Sequence, residues 1–279
     1  MKNFLKSIKG KISIAIGATL VAFGVYSFIL PNIGTEIIQD RDLKKLAIIG
    51  DTGIQSDQFK ENNLKLKEFM PQDVLLLGDE CYDTGCHTQK EFDEMVKPLS
   101  NGYSKFWLVR GNHSYYRGNP NDIVDIANRT PDFRMPTGVI FNNACLLLIE
   151  SSLWEEIINE TNKDRTDKEN TEKYIVKWLD KCANKTKIVG AHHCIYSVSG
   201  SHGGYKTKGY KALYDKYFAN KIQYYTCGHN HIVEDNGFHD NVHHFTSGAF
   251  AKEDTCDTAN CKESGFLTFE NGYINLEQI

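Results

Sequence analysis

Val74-Leu75-Leu76-Leu77-Gly78-Asp79-Glu80-Cys81-Tyr82 decides how this chain is read. Four apolar residues run without alternation, then break at a glycine followed by a carboxylate. A continuous apolar run of that length reads as a strand covered on both faces. The glycine lets the backbone turn sharply where the strand ends. The same sentence of sequence recurs. Lys45 to Ile49 runs into Gly50-Asp51-Thr52-Gly53, and Phe106 to Val109 stops just before Gly111-Asn112-His113. Lys187 to Ala191 runs into His192-His193, and Ile222 to Thr226 into Gly228-His229-Asn230-His231. Helical stretches near Gln55 to Met70 and Thr171 to Cys182 lie between strands, so the class is α/β. Gly138 to Glu150 reads as a hairpin turning at Asn142-Asn143, and Val242 to Thr246 as a further strand. Glu155 to Asn170 reads as a polar surface excursion. Open α/β sheets bind ligands along the carboxyl edge of their strands, so these motifs should converge there.

The converging side chains are Asp51, Asp79, Tyr82, Asn112, His192, His229 and His231. No packed core needs that set. Carboxylates, a phenolate and imidazoles suit iron, zinc or manganese better than calcium. Two such cations about 3.5–4 Å apart can share a carboxylate, acidify water and clamp the oxygens of an in-line displacement. A phosphate ester is the substrate that chemistry fits. Taken singly, Asp51 reads as a helix cap and Tyr82 as a packing residue. The joint pattern is what argues for metals.

The motif series resembles the calcineurin-like metallophosphoesterase superfamily and, within it, the purple acid phosphatases, most nearly the small tartrate-resistant type. The resemblance runs from about Leu43 to Phe250. Two details select that branch: Asp51-x-Gly53 in place of Asp-x-His, and Tyr82 three residues after Asp79. It implies a four-layer α/β/β/α sandwich. It implies that Asp51, Tyr82 and His231 hold a ferric ion, that Asp79 bridges, and that Asn112, His192 and His229 hold a divalent ion (iron, zinc or manganese). His113 would serve the leaving group as acid or phosphate donor. His202, in Ser199-Gly200-Ser201-His202-Gly203, resembles the family's substrate-pocket histidine. The family's reaction is direct attack of a metal-held hydroxide on phosphorus, with no phospho-enzyme. His192 and His193 are both candidates for the fourth motif; the family pattern His-Tyr-Pro-Val-Tyr/Trp-Ser puts His192 first. Cys194 replaces the proline of that pattern, with an expected effect on local stiffness alone. Ser114 stands where the family has Asp or Glu, a loss that would weaken the support of His113. His243 and His244 read as strand residues near the site, and His87 and His239 as surface residues.

The 279 residues are 41% hydrophobic and 24% charged, enough for one sizeable core. Net charge is −4, but Lys2, Lys6, Lys9 and Lys11 lie in the first 30 residues with no acid among them. Without those four the body holds 28 basic and 36 acidic side chains, a balance that argues against nucleic acid as a partner. Ile12 to Leu30 carries no charge and as a helix would reach about 28 Å, close to the hydrocarbon thickness of a bilayer. It reads as a transmembrane signal-anchor. The expected organisation is a basic cytoplasmic segment at 1–11, the anchor at 12–30, a spacer at 31–41 and a catalytic domain at 42–279. The lysines place that domain lumenal or extracellular. The alternatives are secretion after cleavage and a buried core helix; Phe28-Ile29-Leu30 after Val25-Tyr26-Ser27 disfavours cleavage. Of eight cysteines, Cys81/Cys86 and Cys256/Cys261 are near enough in sequence for local bridges, with buried thiols the alternative. Acceptor triplets at Asn128, Asn159 and Asn184 fit a lumenal body. Three rival functions stand: a dinuclear phosphodiesterase acting on nucleotides or phospholipid headgroups, a weakly active metal-binding module, and a cytosolic protein phosphatase. Substrate and oligomeric state are not legible.

Overall fold

A computed structural model of the protein describes residues 35–82, 85–116, 121–154, 162–199, 202, 208–256 and 258–277. The segments 1–11 and 12–30 lie outside the described residues. Among the described residues no helix is long and apolar enough to cross a membrane.

Two mixed sheets carry the site. The six-stranded sheet runs β14 (Tyr273–Glu277), β13 (Phe266–Glu270), β2 (Lys45–Ile49), β3 (Asp73–Leu76), β4 (Lys105–Leu108), β5 (Phe133–Arg134). The eight-stranded sheet runs β1 (Glu36–Ile38), β6 (Gly138–Ile140), β7 (Ala144–Ile149), β8 (Thr186–Ala191), β9 (Tyr224–Cys227), β11 (Val242–Ser247), β10 (Val233–His239), β12 (Cys261–Lys262). Strands β2 to β5 are mutually parallel, as are β7, β8, β9 and β11.

Successive side chains of a strand point to opposite faces, and the apolar runs use both. Leu46, Ile48, Leu75 and Trp107 point inward against Val139, Leu146, Leu148, Ile188 and Phe245 of the other sheet. Their neighbours Ala47, Ile49, Val74 and Leu76 point outward to helices α1 (Asp57–Phe69), α2 (Gln89–Met95) and α4 (Asp122–Arg129). On the far side Leu147, Ile149, Val189 and Tyr225 meet α5 (Asn162–Lys181) and α6 (Lys208–Tyr217). Three apolar clusters thus separate helices, sheet, sheet and helices. Burial on both faces is why these strands show no hydrophobic alternation.

Local chemistry sets the boundaries. Ser56 caps α1 by accepting from Phe59 N, and the helix ends at Met70 (φ 50°) before Pro71. Thr88 and Glu91 form a reciprocal capping box on α2. Buried Asp73 takes both Arg41 guanidinium nitrogens at 2.8 Å and Trp107 Nε1 at 2.9 Å, which pins the start of β3 against β4. Asn143, in the expected hairpin turn, exchanges side-chain hydrogen bonds with the Leu43 backbone at 2.8 and 3.1 Å.

Two stretches differ from expectation. Residues 162–170, read as part of a surface excursion, begin α5, where Lys163–Asp167 and Lys173–Glu169 pairs one turn apart support helix beyond the apolar stretch. Residues 36–38, read as spacer, form edge strand β1 paired in parallel with β6. Three residues are too few to show a hydrophobic period.

Candidate metal centre

Asp51 follows β2, Asp79 follows β3, and Asn112 and His113 open the short helix α3 (Asn112–Tyr116) after β4. His192 follows β8, while His229 and His231 lie between β9 and β10. Asp51, Asp79 and His229 adopt left-handed backbone angles (φ 56°, 55° and 66°). Side chains with a Cβ enter that region at a cost of about 1–2 kcal/mol, and here the turn aims each functional group off its strand end. Gly78 has φ 96°, and a Cβ there would lie 2.7 Å from Gly111 Cα and His192 Nδ1. At Gly228 a Cβ would lie 2.8 Å from Asp51 Oδ2. Only hydrogen fits between the ligands' backbones.

The side chains fall into two groups joined by Asp79. In the first, Tyr82 OH donates to Asp51 Oδ1 at 2.8 Å and lies 3.2 Å from His231 Nε2, itself 3.6 Å from Asp51 Oδ1. In the second, His192 Nε2 lies 2.8 Å from Asn112 Oδ1, 3.1 Å from His229 Nδ1 and 3.4 Å from Asp79 Oδ2. Ligands about 2.0–2.2 Å from a cation are themselves about 2.8–3.6 Å apart at octahedral or tetrahedral angles. The observed separations of 2.8–3.6 Å have the size of such polyhedron edges. His192 Nδ1 donates to the Leu77 carbonyl at 2.8 Å, so in the neutral ring Nε2 bears a lone pair. That lone pair would face the Asn112 carbonyl oxygen, so the position between them calls for a proton or a cation. The residues fit a pair of metal ions.

The electrostatics agree. Burial pushes Asp51 up to about 7; His192 opposes the rise and Asp79 adds to it. Burial also acts to raise Asp79, but the His192 charge and hydrogen bond outweigh it and hold that carboxyl below its ordinary value. Burial opposes charge on His192, yet Asp79 and Asp51 carry it up to about 10, so without a cation a proton occupies the centre. His229, buried and ringed by imidazoles, is pushed far down, and His231 falls to about 4 through burial and Lys252. Tyr82 is pushed well above the ordinary phenol value by burial and by Asp51 and Asp79.

The other expected residues divide. His113 N donates to Asp79 Oδ1 at 3.1 Å, its Nε2 lies 3.8 Å from Asp79 Oδ2, and its ring meets Tyr82 edge-on at 4.6 Å. His202 lies over His229, ring centres 4.3 Å apart, with its pKa lowered chiefly by burial. His193, the alternative to His192, is buried, with Nδ1 2.8 Å from Ser151 Oγ and its ring 4.6 Å from His229. Ser114 is buried; a Cβ on Gly85 would lie 2.8 Å from its Cα. His243 and His244 sit in β11, His87 pairs with Asp122 at 2.9 Å, and His239 stacks on Tyr196.

All eight cysteines are paired: Cys81–Cys86, Cys145–Cys182, Cys194–Cys227 and Cys256–Cys261. The two local pairs are those the spacing allowed. Cys194 does more than alter stiffness, since it binds covalently to the residue before Gly228.

Three features escaped sequence reasoning. The Leu77 carbonyl carries no side-chain signal. Glu80 is fully buried, neither oxygen has a hydrogen-bond partner among the described residues, and burial pushes its carboxyl up to about 8. Lys252 lies 5.6 Å over the Tyr82 ring and Asp254 N donates to the His231 carbonyl, so the loop after β11 borders the first group. Only the adjacent Thr246-Ser247-Gly248-Ala249 hinted at it; a Cβ on Gly248 would lie 2.9 Å from Asp51 Oδ2.

The profile of the family described as "Calcineurin-like phosphoesterase" matches residues 44–233. No curated protein sequence matches the chain. Among solved structures, "GAP50 the anchor in the inner membrane complex of Plasmodium" superposes with a TM-score of 0.62 at 16% identity, over 81% of this chain and 80% of that one. A dimetal phosphatase from Danio rerio gives 0.54 at 11% identity, covering 81% and 92%. Purple acid phosphatase PPD1 from yellow lupin seeds gives 0.53 at 16% identity, covering 82% of this chain and 49% of the lupin chain. At these identities the likeness bears on the fold.

Proposed function

The chain belongs to the calcineurin-like phosphoesterase family, whose members hold two metal ions and act on phosphate esters, and from that premise we propose that it is a purple acid phosphatase-like monoesterase. The observation that carries the proposal is that Asp79 lies between the two groups of donors, with ligand atoms of Asp51, Asp79 and His192 all within 4.8 Å of one another. Asp51, Tyr82 and His231 would hold the first cation, Asn112, His192 and His229 the second. When bound, the cations would acidify water and bear phosphate oxygens. The phenol oxygen of Tyr82 beside the Asp51 carboxylate makes the first group the harder, more oxygen-rich donor set, which favours ferric iron there. A softer demand in the second group suits divalent iron, zinc or manganese. His113, beside Asp79 and edge-on to Tyr82, would give a proton to a leaving oxygen. His202, over His229, would contact the substrate phosphate.

The anchor reading rests on residues 12–30 and the lysines before them. The described likeness to a protein named as a membrane-complex anchor supports it. Four paired disulfides favour a lumenal or extracellular body, since such bonds persist in oxidising compartments.

The test is metal analysis of the full-length chain with turnover on an aryl phosphate monoester and on the matching diester. Two cations per chain and faster monoester hydrolysis are expected. Faster diester hydrolysis would replace the monoesterase reading by a phosphodiesterase, and two cations with no turnover on either would leave a metal-binding module.

A further inference from the structure

The parallel pairing of β8 with β9 ends at Ala191 opposite Cys227. Just beyond it each strand gives one imidazole to the second cation group: His192 on one side, His229 on the other. The last backbone tie between them is Gly228 N to the His192 carbonyl at 3.0 Å. His229 then turns away through a left-handed angle. The two ring nitrogens nevertheless stand 3.1 Å apart.

Cys194 lies two residues after His192, and Cys227 two residues before His229. Their Cα atoms are 5.1 Å apart, and both residues are 1% exposed. The bond joins the two chain segments two residues from each imidazole, and with the Gly228 N to His192 carbonyl hydrogen bond it ties the bases of both ligand-bearing turns together. We propose that the Cys194–Cys227 disulfide is a positioning element of the second cation group, holding His192 and His229 convergent before metal arrives. The proposal rests on the two-cation reading given above. Without a cation the His192 proton is contested by Asp79, Asn112 and His229, and once a cation displaces it the two ring nitrogens face each other as lone pairs; a covalent clamp removes the freedom by which either turn would open in both states. Supports of this kind around first ligands typically change metal affinity by about 10–100-fold.

The molecule contains its own control. Cys145–Cys182 closes a similar span, a separation of 37 against 33. In the chain-entropy view the two bonds constrain the unfolded state almost equally. Cys145, however, sits near the start of β7 opposite Lys187, at the sheet edge away from the ligands, and is joined to the end of α5. Stability alone therefore cannot distinguish the bonds, whereas metal affinity can.

The experiment uses the full-length chain, stripped with a chelator and titrated with Zn²⁺ by calorimetry. Neither double variant leaves a free thiol to compete for zinc. Cys194→Ala/Cys227→Ala should bind Zn²⁺ about 10–100-fold more weakly than the native chain. Cys145→Ala/Cys182→Ala should match the native affinity while melting at a similarly lowered temperature. Equal affinity in the first variant, or equal weakening in both, overturns the proposal. If the first variant does not fold, Cys194→Ala/Cys227→Val restores most of the lost volume and is judged by the same criterion. A native chain that takes up no Zn²⁺ overturns the two-cation reading itself, a failure visible before any variant is made.

Discussion

The two sheets bring chemically different halves to the centre. The six-stranded sheet supplies oxygen: Asp51, Asp79, Tyr82 and Asn112, each at the end of β2, β3 or β4. The eight-stranded sheet supplies nitrogen: His192, His229 and His231 from the ends of β8 and β9. Neither half completes a polyhedron. With the shared Asp79 counted, the proposed first cation group takes three oxygens from one sheet and one nitrogen from the other, and the second takes two of each. On the proposed ligand set, metal binding would be a property of the packing between sheets. It depends on the apolar layer where Leu75 and Trp107 meet Leu146 and Ile188. The halves also differ in charge. The oxygen half buries carboxylates that repel each other, and the imidazole half answers with a proton on His192 when no cation is present.

The harshest way to break this arrangement is Asp79→Ala, which removes the one group common to both polyhedra. Both cations should be lost, and turnover should fall by more than about 10³-fold, the upper cost of deleting a single transition-state donor. Elemental analysis and initial rates check this together. A variant that keeps both metals would show that the halves do not share Asp79. Next in size is His113→Ala, whose side chain supplies no donor to either polyhedron and whose backbone bond to Asp79 the substitution keeps. Metal content should stay at the native level while turnover drops about 10²–10⁴-fold, the usual range for a general acid. Loss of metal in that variant would move His113 into the ligand set.

Tyr82→Phe sharpens the comparison within the oxygen half. If Tyr82 ligates a ferric ion, the native chain should show a visible charge-transfer band and the variant should lack it. A native chain with bound iron and no band would remove Tyr82 from the ligands. The smallest effect concerns protons. In chelator-treated protein, Asp51 and Glu80 titrate near 7 and 8, above their ordinary values of 3.8 and 4.5. Their protonated forms favour the fold fully below those ordinary values, and that stability is lost as pH rises through 7 and 8. Denaturant unfolding should therefore weaken by a few kcal/mol, order of magnitude, between about pH 4 and pH 8. Glu80→Gln should flatten part of the slope. Zn²⁺ affinity should move the other way, rising through pH 7 as Asp51 releases its proton.

Much of this was legible before any coordinates. The strand-end motifs named Asp51, Asp79, Tyr82, Asn112, His192, His229 and His231, because a buried strand and the turn after it are local events written in adjacent residues. The family pattern puts His192 before His193; in the structure His192 Nε2 lies beside Asn112 and His193 Nδ1 beside Ser151 Oγ, and ligand atoms of both lie within 4.8 Å of His229. The bridge from Cys194 to Cys227 and the isolated Glu80 gave no sequence signal. Both depend on which chain segments lie beside one another.

The sequence by itself determined the strands, the order of the ligands along the chain and the chemistry they offer, since apolar runs, glycines and donor atoms act over a few residues. The tertiary structure decided which oxygen faces which nitrogen, and at what distance. That follows from sheet packing, where residues as far apart as Asp51 and His229 come within 2.7 Å, and no local pattern encodes a contact of that span.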